Sequence, residues 1–389
     1  MTYNKEVTAK AEVRMPLELD MPSLTAGEST FICPETKLPL RALSRQDALA
    51  AMGASELGTR TNADPAPTGV TDRLMVRSDN ACAYPIVDGI PILLTPEQIM
   101  PAARPRSFDL TNPKYAEAYE EMTHYNQVAK AEAAAIRDSE SYHVVEPILR
   151  LPAEGRGDFP EPKGSWVDCV PDCKAQYEAY RYLSPVRGKR FFQLGGKGIH
   201  AVKSLLAGAA EAWVLTPMLG EIYCSIALAE EAGVRDRLRC VVGVAEEIPL
   251  VDNMFDAIYS GGCVHHMTTE VAMPEIARVL KRGGRFACTD PWRAPLYAIG
   301  TKVLGKREVN VYCRPLTPAR VAPLFSNFKT AEKVQYGTLT RYPAIALSKF
   351  GINVSLDTMW QLYRMDDAVC SFIPGMRGFG SSVALFATK

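Results

Sequence analysis

The chain has 389 residues, 47% hydrophobic and 23% charged, with 44 basic side chains against 44 acidic ones and no formal net charge. That balance provides no broad basic field for nucleic acid or an anionic bilayer, and no apolar run approaches the roughly eighteen residues of a membrane span. The length suits two units or one large elaborated one. Ten cysteines at scattered spacings predict reduced thiols in a cytoplasmic protein rather than a disulfide framework. Residues 1–30 read as an irregular arm bearing Lys5, Glu6, Lys10, Glu12 and Arg14, without the apolar stretch of a signal peptide.

From Phe31 to about residue 100 a small β unit is expected. It opens with Phe31-Ile32-Cys33-Pro34 and closes with Tyr84-Pro85-Ile86-Val87-Asp88-Gly89-Ile90-Pro91-Ile92-Leu93, where Asp88-Gly89 between apolar runs is a hairpin turn signal. Residues 44–73, with Gly53, Gly58, Pro65, Pro67 and Gly69, read as a loop insertion. The closing phrase resembles the zinc-ribbon-like activator subunit of tRNA methyltransferases. That resemblance implies four soft zinc ligands, and here they are degenerate: Thr36 stands where a second thiol belongs and Cys82 is alone at the second knuckle. Cys33 and Cys82 are expected as small core residues, and no metal is expected.

Residues 101–185 form a helical connector, in which Asn112-Pro113 starts a helix over 113–150 with Tyr115, Tyr119, Met122, Tyr125 and Val128 on one face. That helix either covers the sheet or lids a site. Cys169 and Cys173 share a face with no third ligand nearby, so no metal is expected there either.

The rest, residues 186–389, alternates strands and helices, which implies right-handed crossovers and a parallel sheet with its ligand at the strands' C-terminal ends. Arg190–Leu194 runs into the glycine turn Gly195, Gly196, Lys197, Gly198, and a helix follows from Ala201. Such a turn lets backbone approach a nucleotide-like ligand while the helix N-terminus presents unpaired N–H groups. Strands are expected at Glu211–Thr216, 239–243, 253–260, 285–290, 328–337 and 381–389, with helices through Ala232, over Pro274–Leu280 and from Thr317-Pro318. An insertion at 339–380 is expected to bring Tyr342, Trp360, Tyr363 and Phe372 over a pocket.

The phrases Ala245-Glu246-Glu247-Ile248-Pro249-Leu250, His265-His266 and Ile276-Ala277-Arg278-Val279-Leu280-Lys281-Arg282-Gly283-Gly284 are similar to the class I S-adenosylmethionine-dependent methyltransferases, in particular to quinone-biosynthesis C-methyltransferases. The resemblance implies a Rossmann-like seven-stranded sheet, S-adenosylmethionine as cofactor and a small-molecule acceptor. It implies a cofactor site at Gln193, Gly195, Gly196, Gly198, Thr216, Glu246 and Gly261, and catalytic candidates in His265, His266 and Asp290. The acids usual in the family are replaced by Gln193, Thr216 and Val244, with Glu221 or Glu246 as possible substitutes.

Thr216-Pro217 also reads as a helix N-cap and first turn. Lys197 either meets a ligand carboxylate or points to solvent. The histidines either act as base and anchor or pack, and Asp256 is expected to be structural. Two other functions keep the same fold: a non-methylating enzyme or ligand-binding protein, and a non-catalytic partner of an RNA-modifying assembly. Homo-oligomerisation stays open.

Overall fold

The computed structural model describes residues 29–53, 70–94, 113–137, 169–295, 297, 314–373 and 375–389. The arm at 1–28 and the connector at 138–168 lie outside the described residues.

The N-terminal sheet has four antiparallel strands in sequential order: β1 (Leu40–Ser44), β2 (Val70–Arg77), β3 (Ala83–Val87) and β4 (Ile90–Pro91). Asp88 and Gly89 both have positive φ, 48° and 73°, as a two-residue hairpin turn requires. Two stretches of the expected loop at 44–73 are regular structure, and residues 54–69 lie outside the described residues. Ser44 accepts from Asp47 N and caps helix α1 (Arg45–Met52), which stops at the left-handed Gly53, and β2 begins at Val70. Cys33 and Cys82 are buried, with Cys33 Sγ 3.2 Å from Tyr84 Oη.

This unit shares its core with the larger sheet. Phe31, Cys33, Met75, Tyr84 and Leu93 belong to one buried cluster with Phe192, Trp213, Val241 and Leu250. Phe31 packs on Trp213 with ring centroids 5.7 Å apart, and Ile92 bridges to Val242 at the large sheet's edge.

The chain then forms α2 (Pro113–Arg137) and α3 (Cys173–Leu183), and enters the seven-stranded sheet. In chain order this comprises β5 (Arg190–Leu194), α4 (Ile199–Leu206), β6 (Glu211–Thr216), α5 (Leu219–Glu231), β7 (Leu238–Val242), β8 (Phe255–Gly261), α6 (Thr269–Val279) and β9 (Leu280–Pro291). After them come α7 (Pro318–Asn327), β10 (Thr330–Tyr336), α8 (Arg341–Lys349), α9 (Leu356–Phe372) and β11 (Ser382–Thr388). Spatial order is β10-β11-β9-β8-β5-β6-β7, with β11 antiparallel to both neighbours and β5 to β9 parallel. The chain builds outward from β5 through β6 and β7, then returns to β5's other side with β8. The C-terminal ends of β5 and β8 therefore diverge, which opens the crevice where α/β sheets take ligands.

Three helices differ from expectation. The described helix α2 ends at Arg137, and its buried face is Asn126, Ala129, Ala133 and Ile136. Of the expected stripe, Tyr125 is 46% exposed and so lies off that face, where small residues allow α2 to lie close on α5. Helix α6 starts at Thr269, five residues before the expected Pro274, which sits inside it. In the insertion, Tyr363 is buried and donates to Pro171 O (2.6 Å), while Trp360 packs edge-on against Tyr177 of α3 (5.6 Å). Phe372 is 85% exposed at the end of α9. Among the described residues no helix is long and apolar enough to cross a membrane.

Candidate active site

The glycine turn after β5 is built from backbone that only glycine adopts cheaply. Gly195, Gly196 and Gly198 have φ of 75°, 76° and 78°. A Cβ at Gly195 would lie 2.5 Å from Cys263 Sγ, and one at Gly198 would lie 2.3 Å from Ser225 Oγ. Gln193, 1% exposed, braces this turn: its Nε2 donates to Gly195 O and its Oε1 accepts from Ala201 N, both at 2.8 Å. One donor and one acceptor position of its amide are thus engaged within the protein.

At the end of β6, Thr216 does not cap the next helix. The N-cap of α5 is Met218, whose N–H reaches Thr216 Oγ1 at 3.3 Å, and Thr216 Oγ1 donates to Glu221 Oε2 at 2.5 Å. Glu221, in the first turn of α5, is 5% exposed. Burial raises its pKa, against the opposing pull of Thr216, Lys197 and the Gly196 N–H. This carboxylate stands five residues past the strand end at the helix start, where the dipole favours it.

Glu246 sits in a single short turn after β7, Ala245–Glu247. Its Oε1 accepts from Thr268 N at 2.7 Å and closes the N-terminus of α6, and burial raises its pKa. Lys197 neither points to solvent alone nor waits for a ligand, because it pairs with Glu132 of α2. Asn126 Oδ1 of α2 also accepts from Gly220 N at 2.7 Å, so α2 is fastened beside the glycine turn and the start of α5.

At the ends of β8 and β9 the structure joins two of the three catalytic candidates. Asp290 Oδ1 accepts from His265 N (3.0 Å) and from His265 Nδ1 (2.8 Å). The Asp290 side chain is fully buried, that of His265 is 11% exposed, and Asp290 Oδ2 has no hydrogen-bond partner among the described residues. Arg320 of α7 clamps the histidine loop through His265 O (3.1 Å) and Met267 O (2.8 Å). With Nδ1–H fixed on the carboxylate, the neutral ring carries its basic lone pair on Nε2. His266 is exposed and lies against the His265 ring, centroids 4.1 Å apart.

Gly261 closes β8, and a Cβ there would lie 2.7 Å from His200 Nε2. Cys263 lies against Gly195, and burial raises its thiol pKa well above the ordinary value. Asp256 is structural, as expected. It accepts from Arg190 N (2.9 Å) and pairs with Lys281 Nζ (2.8 Å), tying β5 to β9. Sequence reasoning missed Glu132 and Cys263. The early acid in α5 was the one signal available, since a carboxylate in a first turn is a recognisable helix-start feature.

An α/β sheet in this strand order, with one antiparallel strand and a glycine turn at its switch point, is a Rossmann-like methyltransferase fold. Residues 214–288 match the family model described as a methyltransferase domain. The chain thus carries a methyltransferase domain, and S-adenosylmethionine is the methyl donor of that class. A 2-methoxy-6-polyprenyl-1,4-benzoquinol methylase from Danio rerio is 42% identical over 76 residues, 18% of this chain and 23% of that protein. A ubiquinone/menaquinone biosynthesis C-methyltransferase from Methylobacterium nodulans is 35% identical over 114 residues, 28% of this chain and 45% of that protein. The match therefore spans less than half the length of each of these relatives. Among solved structures, a geranyl diphosphate C-methyltransferase from Streptomyces coelicolor aligns at 16% identity and TM-score 0.41, over 56% of this chain and 78% of that one.

Proposed function

We propose that the protein transfers a methyl group from S-adenosylmethionine to a small-molecule acceptor bearing an ionisable proton. The observation that carries this reading is the buried His265–Asp290 pair at the carboxyl edge of the sheet, the edge that also carries the glycine turn. The residues present fit the cofactor. The left-handed glycines draw the turn tight against Cys263 and Ser225, the N–H groups at the start of α4 suit a carboxylate, and Glu221 offers a carboxylate for hydroxyl groups.

The bound sulfonium supplies an already activated methyl group. The protein's work is then mostly alignment of acceptor and donor. Asp290 holds the His265 ring by Nδ1, and Nε2 takes the acceptor's proton as its nucleophilic atom becomes electron-rich. A base is needed only for a hydroxyl, thiol or acidic carbon, and this pair supports such an acceptor over a free amine.

Gln193 and Thr216 already engage partners inside the protein, which favours one second reading: a methyltransferase-fold protein that binds a ligand without methylating it. Calorimetric titration with S-adenosylmethionine separates the two. Saturable heat at micromolar ligand is expected, and no heat at millimolar ligand would overturn methyl transfer. Mass spectrometry of small molecules retained by the native protein would then identify the acceptor.

Glu221→Gln provides a finer check. Loss of charge-assisted hydrogen bonds of roughly 1.5–3 kcal/mol is expected to weaken S-adenosylhomocysteine binding about 10- to 100-fold. Stability moves the other way. A carboxyl whose folded pKa is raised contributes stability that is present below its unfolded value and lost as pH rises. Glutamine has no such loss, so its melting temperature relative to wild type is expected to climb between acid and neutral pH. A difference independent of pH would show that Glu221 is not strained by burial.

A further inference from the structure

Away from the glycine turn, a cleft of about 470 Å³ opens between α3, α9, β10 and β11. That volume is within the range of roughly 300–1,000 Å³ usual for small-molecule sites. None of Gln193, Glu221, His265 or Asp290 lines it. Strand alternation builds its floor. Glu332, Val334 and Tyr336 of β10 share one face, while Lys333 turns to the other, over the Trp292 ring at 4.3 Å. Phe386 of β11 stands opposite Glu332 in the register and packs on Tyr182 of α3, centroids 5.1 Å apart.

The walls are charged, and their cations are already paired. Lys174 and Arg181 of α3 both hold Glu178, at 2.9 and 2.8 Å, and Arg377 holds Asp367 at 3.0 Å. Glu332, the third lining acid, is exposed, and its carboxylate has no partner among the described residues.

At the other end of the floor Tyr336 is 6% exposed, and its Oη likewise has no hydrogen-bond partner among the described residues. That oxygen is not sealed from solvent, so it opens onto the cleft that Tyr336 lines. Burial, and after it Glu178, raise the phenol's pKa above its ordinary value, so it stays a neutral donor and acceptor. Unmet polar groups thus stand at both ends of an apolar strip. Their backbones are four residues apart on one strand, roughly 13 Å at about 3.3 Å per residue, with Val334 between them and Phe386 alongside.

We propose that this cleft is a second binding site, which takes an elongated aromatic amine carrying a hydroxyl at its far end. The ammonium meets the Glu332 carboxylate, the ring lies over Val334 and Phe386, and the distal hydroxyl meets Tyr336 Oη. Lys174, Arg181 and Arg377 are each occupied by a carboxylate, so the lining favours a cationic ligand over an anionic one. The site stands independently of the methyl-transfer reading.

Three probes isolate the two ends. Tyramine carries both groups, phenethylamine lacks the hydroxyl, and tyrosol replaces the ammonium with a neutral hydroxyl. Ligand-observed nuclear magnetic resonance titrations of the full chain measure their dissociation constants. Tyramine is expected to bind saturably and about two- to fivefold tighter than tyrosol, as for a solvent-exposed ion pair. Its margin over phenethylamine is expected at about two- to tenfold, as for one hydrogen bond.

Glu332→Gln should erase the first margin and keep the second, and Tyr336→Phe should do the reverse. Both variants should melt close to the wild-type temperature, since neither removes an internal hydrogen bond of a side chain. Margins unchanged in the variants, or no saturable tyramine binding, would overturn the proposal. So would tighter binding of para-hydroxyphenylpropionate, which would assign the cleft's cations to an anion. A marked fall in the Tyr336→Phe melting temperature would give Oη an internal role and remove it from the site.

Discussion

Asp290→Asn is expected to lower turnover by roughly 10²- to 10⁴-fold, the range a positioned general base contributes, while leaving S-adenosylmethionine affinity within about twofold. Asp290 Oδ1 receives both the backbone N–H and the Nδ1–H of His265, so a single oxygen sets the loop and the tautomer together. Asparagine can keep that oxygen in place only by putting its NH₂ where Oδ2 now sits, a buried position with no hydrogen-bond partner among the described residues. An unsatisfied buried donor costs about 1–3 kcal/mol, and the flipped amide would set its NH₂ against the His265 backbone N–H instead, so either orientation loosens the hold on Nδ1. His265→Ala is expected to lose a comparable factor, and His266→Ala far less, because the outer ring is exposed and lies outside the carboxylate's grip. Single-turnover methyl transfer beside calorimetry separates chemistry from binding. Turnover of Asp290→Asn within threefold of wild type would reduce the pair to a loop brace.

What the sequence made legible was local. The apolar run Arg190–Leu194 ending in glycines, the strands around Trp213 and Ile258, and the Asp88-Gly89 turn all follow from contacts within a few residues, and the structure has them in place. Helix α1 was hidden because Arg45–Met52 is short and flanked by glycine- and proline-rich chain. The start of α6 was hidden because Pro274 looks like a first turn yet sits mid-helix. The histidines and Asp290 could each be flagged by strand-end position, but their pairing across 25 residues has no spacing rule. The same holds for Lys197 with Glu132 and Tyr180 with His200, where helices laid down before the sheet return to cover its glycine turn. Thr216 shows the reverse error. A Thr-Pro pair has the local grammar of a cap, and the tertiary partner Glu221 took the hydroxyl instead.

Gly198→Ala is expected to destabilise the protein by about 2–5 kcal/mol, from a left-handed backbone penalty of roughly 1–2 kcal/mol and an overpacking cost of roughly 1–3 kcal/mol. The added methyl would sit 2.3 Å from Ser225 Oγ, 2.4 Å from Ser225 Cβ and 2.9 Å from Ser225 Cα. Rotating a side chain cannot relieve contact with a Cα, so α5 itself must move away from α4. That motion carries Glu221 away from the glycine turn, and cofactor affinity falls together with stability. Two other glycines serve as internal controls. Gly262 has φ of 69° with nothing within 4 Å of a Cβ, so alanine there should show the backbone penalty alone, about 1–2 kcal/mol. A Cβ at Gly195 meets only the Cys263 side chain, at 2.5 and 2.7 Å, and the loop bearing Cys263 can give where a helix backbone cannot. Chemical denaturation should therefore rank the alanine variants Gly198, then Gly195, then Gly262 in order of falling cost. Equal losses at Gly198 and Gly262 would mean that close approach of α5 to the turn does not constrain the crevice, and Glu221 would lose its claim to a fixed place beside it.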